Sequence, residues 1–221
     1  MTGNGNDNKD SRGGRLESVF QDRRNSKLVA MLLDLYCGGR MDVVSVMDVT
    51  WGKGGWWKDH WKPDIRHDVE LDGVDYRKLP EENGSIDVIA FDPPYVAKGG
   101  RETSGIKEFD TAYGMKDAPR TPREMEEMNA AGLKECARVL APRGILLVKC
   151  CNYVSSGRKV WGERFMWNVG LAEGLELLDK VEHLTGSGPQ PAVNLDGTPR
   201  VPAHSRLVHS TMLVWTKRKR S

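Results

Sequence analysis

Asp92-Pro93-Pro94-Tyr95, closing the apolar run Ile86–Phe91, is the segment of this 221-residue chain best equipped for chemistry. A β-branched, aromatic-rich run that ends in two prolines reads as a buried strand that stops abruptly, because proline cannot donate to a sheet ladder and fixes its own φ. Such a strand delivers the Asp92 carboxylate to a sheet edge. Pro93 holds Asp92 in extended geometry and Pro94 does the same to Pro93, so the carbonyls have little freedom to turn away from a ligand. The product is a stiff rim of hydrogen-bond acceptors beside one aromatic ring, compatible with several kinds of amine. The plainer alternative, a strand ending in a Pro-Pro turn with a packed tyrosine, needs no ligand.

Periodicity predicts the elements that must position this rim. Leu16–Tyr36 carries apolar residues at helical spacing and reads as one or two helices ended by Gly38-Gly39. Val43–Val49 reads as a buried strand entering the turn Trp51-Gly52-Lys53-Gly54-Gly55, with a helix expected from Trp56. Further strands are expected at Ile65–Leu71, Val74–Arg77, Ile86–Phe91, Gly144–Cys151, Leu178–Leu184 and Thr211–Lys217. Thr121-Pro122-Arg123-Glu124 is a capping box opening a helix to about Leu140. A second helix is expected over Glu163–Leu177, burying Phe165, Val169, Leu171 and Leu175. Strands alternating with helices predict an α/β sheet that is mainly parallel, its last two strands an antiparallel hairpin. Residues 1–15 read as a disordered tail, 16–217 as one domain and 218–221 as a basic tail.

A net charge of +2 suits many soluble enzymes and neither requires nor excludes a nucleic-acid partner. Cations do cluster between Arg12 and Arg24 and at Lys217-Arg218-Lys219-Arg220. No apolar run is long enough to cross a bilayer and the first residues lack the order of a signal peptide, so a soluble intracellular protein with no membrane partner is expected. Cys37, Cys136, Cys150 and Cys151 show no C-x-x-C spacing, which predicts reduced thiols and no metal site.

Asp48-Val49-Thr50-Trp51-Gly52-Lys53-Gly54 sets an acid and a G-x-G turn directly after a predicted strand. Glycines let a backbone approach a ligand closely, and a carboxylate at a strand edge can face a cationic group. About twenty residues on stands Asp68, with Glu70 as its alternative, and then Asp75. Singly, each acid is as readily a surface residue and each glycine a tight turn. Their order, followed by Asp92-Pro93-Pro94-Tyr95, resembles class I S-adenosylmethionine-dependent amino-methyltransferases, and among them the compact N6-adenine DNA methylases of phages and bacteria. The resemblance spans most of 16–217, and residues 48–54 and 92–95 are its specific parts.

That resemblance implies a Rossmann-like fold: a mainly parallel seven-stranded sheet with an antiparallel C-terminal hairpin and helices on both faces. It implies S-adenosyl-L-methionine as cofactor, bound by Asp48, Thr50, Trp51, Gly52, Gly54, Asp68 and Asp75, with Asp68 on the ribose hydroxyls and Asp75 on the cofactor's adenine amine. Asp92, Pro93, Pro94 and Tyr95 become the catalytic set in a phage or bacterial host cell. An exocyclic amine is a poor nucleophile because its lone pair is delocalised into the ring. The Asp92 carboxylate and the Pro93 carbonyl would draw its hydrogens and return density to nitrogen, while Tyr95 stacks on the base. No covalent intermediate is needed, so Cys150 and Cys151 are not taken as nucleophiles.

Aspartate at the first position leans toward adenine N6, and DNA is favoured over RNA as partner. Guanine N2 methyltransferases of ribosomal RNA carry similar tetrapeptides, and a catalytically silent nucleic-acid-binding protein is the third alternative. The long segment Val96–Arg120 reads as a lid bringing Lys98 and Arg101 to phosphates, and Gly186–Arg206 as a substrate-reading excursion or a solvated one. Lys149 and Asn152 are expected to line the pocket from the side. Phe20, read as helical, is a candidate to pack over the cofactor, and Trp56 and Trp57 are expected to pack a helix on the sheet.

Overall fold

The computed structural model describes residues 16–38, 45–59, 61–95, 119–184, 198, 205 and 207–218. The predicted tail 1–15, Lys98, Arg101 and nearly all of Gly186–Arg206 lie outside them. In chain order the elements are β1 (Val19–Phe20), α1 (Asn25–Cys37), β2 (Val46–Asp48), β3 (Ile65–Arg66), β4 (Ile86–Phe91), α2 (Pro122–Val139), β5 (Leu140–Cys150), β6 (Asn152–Ser155), β7 (Arg158–Trp161), α3 (Gly162–Ala172), β8 (Leu175–Leu184) and β9 (His209–Lys217). Seven strands form one sheet in the order β1-β8-β9-β5-β4-β2-β3, and β6-β7 stand apart as a two-stranded sheet. The β1-β8, β5-β4, β4-β2 and β2-β3 pairs are parallel, whereas β8-β9 and β5-β9 are antiparallel.

Alternation along the central strands sorts the core into two layers, since successive side chains leave a strand on opposite faces. Ile89, Phe91, Leu146, Val148, Leu213 and Trp215 pack with α2 and α3, while Val88, Ala90, Leu147, Met212 and Val214 pack with α1 and with Trp56, Trp57 and Trp61. α2 starts at its capping box: Thr121 Oγ1 accepts from Glu124 N at 3.2 Å, and Glu124 Oε2 accepts at 2.8 Å from Arg120 N, one residue before the N-cap. At its other end Lys217 Nζ donates to the carbonyls of Ala137 and Leu140, so this member of the terminal basic run closes a helix C-terminus. Arg218 pairs with Glu176.

Five expected elements differ. Val74–Arg77 is a turn because Asp72 Oδ1 accepts Val74 N and Asp75 Oδ1 accepts Arg77 N, taking the donors a ladder would need. Asp68 truncates β3 in the same way by accepting from Glu70 N. The helix expected at Trp56 is a set of turns, with Gly52 and Gly54 at positive φ. The sheet still reaches seven strands because Val19 and Phe20, read as helical, pair with Glu182 and His183 on β8. α3 ends at Ala172, earlier than expected; it buries Met166 and Gly170, and Leu171 is exposed. Among the described residues no helix is long and apolar enough to cross a membrane.

Candidate active site

The chain leaves β2 for β3 on one side of the sheet and returns to β4 on the other, so the carboxyl ends of β2 and β4 flank a switch point. Crevices of α/β sheets open there. Asp48 ends β2, and Asp92 directly follows β4. Asp48 is buried; its Oδ1 accepts from Thr50 N at 2.8 Å and its Oδ2 from the Trp57 indole N–H. Thr50 Oγ1 in turn accepts from Asp92 N at 2.8 Å, which ties the two strand ends together. Trp56 Nε1 donates to Asp92 Oδ2 at 2.8 Å. The two tryptophans therefore grip two carboxylates while their rings pack in the core layer between α1 and the sheet.

Burial pushes the Asp48 carboxyl up to about 6, with the Asp92 charge adding to it against the hydrogen bonds of Trp57 and Thr50. Asp92 is raised as well, burial outweighing the nearby Lys149 ammonium and the Trp56 hydrogen bond. Burial likewise pushes the Cys151 thiol up to about 11 and Cys150 well above its ordinary value, the opposite of an activated nucleophile.

The glycine turn is pinned to the next strand. Gly52 N donates to Asp68 Oδ2 at 2.9 Å and Trp51 N to the His67 carbonyl at 3.0 Å. Gly54 answers to protein rather than ligand, since a Cβ there would lie 2.7 Å from the Trp51 ring. Trp51 is thus folded back over Gly54, with the Arg66 guanidinium 5.2 Å from its ring. Asp75 closes on Arg77 instead of joining Asp48 and Asp68. His67 carries Asp72 on Nδ1 at 2.6 Å and Glu81 on Nε2 at 2.7 Å.

Burial alone would lower the His67 pKa, but the two carboxylates outweigh it and raise it. The stability it contributes is therefore full below the ordinary histidine pKa of about 6.5 and is lost as pH rises through the raised value. Thermal melts across pH should show His67→Asn costing most near pH 5.5, on the order of 1–3 kcal/mol, with the gap narrowing in alkali. A gap independent of pH would mean that the pair is not ionic.

No family model matches the chain, and no curated protein does. Among solved structures it is similar to a geranyl diphosphate methyltransferase in complex with S-adenosylmethionine, at 12% identity and a TM-score of 0.50, over 87% of this chain and 85% of that one. This is a methyltransferase fold. A candidate DNA modification methylase from Thermus thermophilus, complexed with S-adenosyl-L-methionine, is also similar, at 14% identity and a TM-score of 0.44 over 80% of this chain. The chain spans 57% of that protein's length.

On this methyltransferase fold the tetrapeptide borders a narrow cleft lined by Pro93, Tyr95, Asn129, Lys149, Tyr153 and Val160 among others. Its free space of about 20 Å³ suits one water, so any larger ligand has to widen it. Lys149 is buried, donates to Asn25 Oδ1 at 3.0 Å and lies 5.7 Å from the Tyr95 ring centroid. Asn152 faces elsewhere, exchanging hydrogen bonds with Glu163 at the start of α3. Phe20 sits at the far sheet edge against His183, remote in the strand order from β2 and β4.

Sequence reasoning missed Asn129, whose Nδ2 donates to the Pro94 carbonyl at 2.8 Å, and the β6-β7 hairpin. Signals for both existed. Asn129 is a polar residue within the buried stripe Met125, Met128, Gly132, Leu133, and Ser156-Gly157 is a two-residue turn between short alternating runs.

Proposed function

We propose that this chain transfers a methyl group from S-adenosylmethionine to an exocyclic amino nitrogen of a nucleobase, with adenine N6 in DNA as the first choice. One observation carries the reading. Thr50 takes the Asp92 N–H, Trp56 takes Asp92 Oδ2 and Asn129 takes the Pro94 carbonyl, so the rim is held at three points. Asp92 Oδ1, shielded from solvent, has no partner among the described residues, and none of these donates to the Pro93 carbonyl. Two acceptors are left for the two hydrogens of one amine.

The residues present fit the cofactor. Asp48, at the carboxyl end of β2, is the carboxylate that would face the cationic ligand, and Asp68 at the edge of the glycine turn retains acceptor capacity for ribose hydroxyls. Thr50, Trp51, Gly52 and Gly54 hold that edge in shape. Asp75 would have to release Arg77 to accept from an amine. Bound there, S-adenosylmethionine supplies an electrophilic methyl on a sulfonium. Asp92 and Pro93 orient the amine and draw density to its nitrogen, Tyr95 presents a stacking face, and preorganisation supplies the rate. A base in duplex DNA has first to leave the stack.

A second reading, guanine N2 in RNA, is favoured by one atom. The Pro94 bond fixes the Asn129 amide, and its Oδ1 is buried without a partner among the described residues. Adenine has no ring N–H beside its amine, whereas guanine offers N1–H. Incubating the protein with labelled cofactor and separate DNA and RNA pools, then resolving nucleosides by mass spectrometry, should give N6-methyladenine from DNA. N2-methylguanine from RNA alone would establish the second reading, and no methylated base from either pool would sink both.

A further inference from the structure

Between β5 and α3 the chain projects a finger outside the main sheet, β6 and β7 joined by Ser156 and Gly157, both at positive φ as a tight two-residue hairpin turn requires. Its base is fixed. Asn152 accepts from Glu163 N at 3.1 Å, and Gly162 passes so close to the Cys151 carbonyl that no side chain fits between them.

Cross-strand partners share a face, so the register sorts the finger's side chains. Tyr153 and Val160 are paired and line the cleft beside Tyr95. Asn152, Val154, Lys159 and Trp161 form the opposite face, where Val154 is 48% and Trp161 50% exposed. Lys159 Nζ lies 5.4 Å from the Trp161 ring centroid and donates to Ser205 Oγ at 2.9 Å, and Arg158, paired with Ser155 on the Tyr153 face, is exposed at the fingertip. From Asn152 to Trp161 the finger carries two cations and no carboxylate. An aromatic ring left half in water on a hairpin fixed at its base, with a lysine over it and the nearby Glu163 carboxylate taken up by Asn152 and Lys180, matches a partner made of flat bases and phosphates.

We infer that this outer face of the β6-β7 finger is a nucleic-acid docking surface: Trp161 stacks on a base flanking the target, Lys159 beside it meets an adjoining phosphate, and Arg158 at the fingertip reaches the backbone from the other face. The inference rests on the nucleobase reading above and adds to it the element that grips the polymer. Stacking tolerates any base, so this face holds the strand without reading its sequence, while Tyr153 and Val160 on the other face adjust with it at the cleft wall.

The test is fluorescence anisotropy with labelled single-stranded and duplex DNA and with RNA, each of about 20 nucleotides, longer than one binding site. Trp161→Ala should weaken binding about 5- to 100-fold, Trp161→Phe should restore most of it, and S-adenosylmethionine affinity by calorimetry should not move. Arg158→Ala with Lys159→Ala should flatten the salt dependence by about one unit of slope for each phosphate no longer neutralised.

Variants that bind like the wild type while the wild type methylates a base amine overturn the surface and leave the enzyme reading intact. Binding lost in Trp161→Ala, from a wild type that methylates nothing, supports the surface and removes the enzyme reading. If sedimentation shows Trp161→Ala splitting a dimer with oligonucleotide binding intact, the face joins two copies of the chain and the proposal fails.

Discussion

Replacing Asp92 by Ala should lower methyl transfer by about 10³-fold or more while leaving S-adenosylmethionine affinity within a few-fold of wild type, read by label incorporation and calorimetry. Asp92 Oδ1 is an acceptor that nothing in the described structure uses, so on the proposed reading its removal takes away the interaction with the substrate amine. The cofactor side keeps Asp48, Asp68 and the turn between them. Asp92→Asn is the sharper version. The Trp56 indole N–H demands an oxygen, so the new amide turns its NH₂ toward the amine, donor against donor. Transfer should fall nearly as far as in Asp92→Ala. Adding Trp56→Phe to Asp92→Asn frees the amide to turn over and should recover part of the rate. A double variant no better than Asp92→Asn would mean that Trp56 does not set which oxygen faces the substrate.

The strand end was legible in sequence because proline chemistry is local: Asp92, Pro93 and Pro94 announce their geometry without reference to the rest of the chain. Asp48, Gly52 and Asp68 were legible through their order, and the structure sets them at neighbouring strand ends joined by the Gly52 to Asp68 hydrogen bond. The Asp75 carboxylate closes on Arg77 two residues along, a competition that spacing alone does not reveal. Trp56 and Trp57 were read only in part, for a different reason. Their apolar bulk suggested packing, and both are indeed buried, but the indole N–H groups make long-range bonds to Asp92 and Asp48 that no periodicity encodes. Asn152 followed the same rule in reverse, its polar side chain being taken up by the start of α3.

Gly132→Val should reduce both stability and transfer. Gly132 faces the sheet from α2, and a Cβ there would stand 2.5 Å from the Tyr76 ring and 2.7 Å from Phe91. Those rings lean on each other with centroids 5.2 Å apart and are buried, so they have little room to retreat. Alanine would gain about 1 kcal/mol of helix propensity, which offsets part of the clash; valine lacks that gain and adds two more methyl groups. Overpacking of this kind costs about 1–3 kcal/mol, or a fall in Tm of roughly 2–12 °C for a chain of this size.

The functional loss should exceed what instability explains. Phe91 immediately precedes Asp92, and Asn129, one helical turn before Gly132, holds the Pro94 carbonyl. Pushing α2 away from the sheet moves both supports of the rim. Gly170→Val is the control: it meets the Trp215 ring at 2.7 Å beneath α3, away from the tetrapeptide. Assayed well below both melting temperatures, Gly170→Val should keep most of its transfer rate while Gly132→Val loses at least tenfold, about 1.4 kcal/mol at the barrier. Equal rates in the two variants would separate the close approach of α2 from the geometry of Asp92, leaving Gly132 a matter of packing alone.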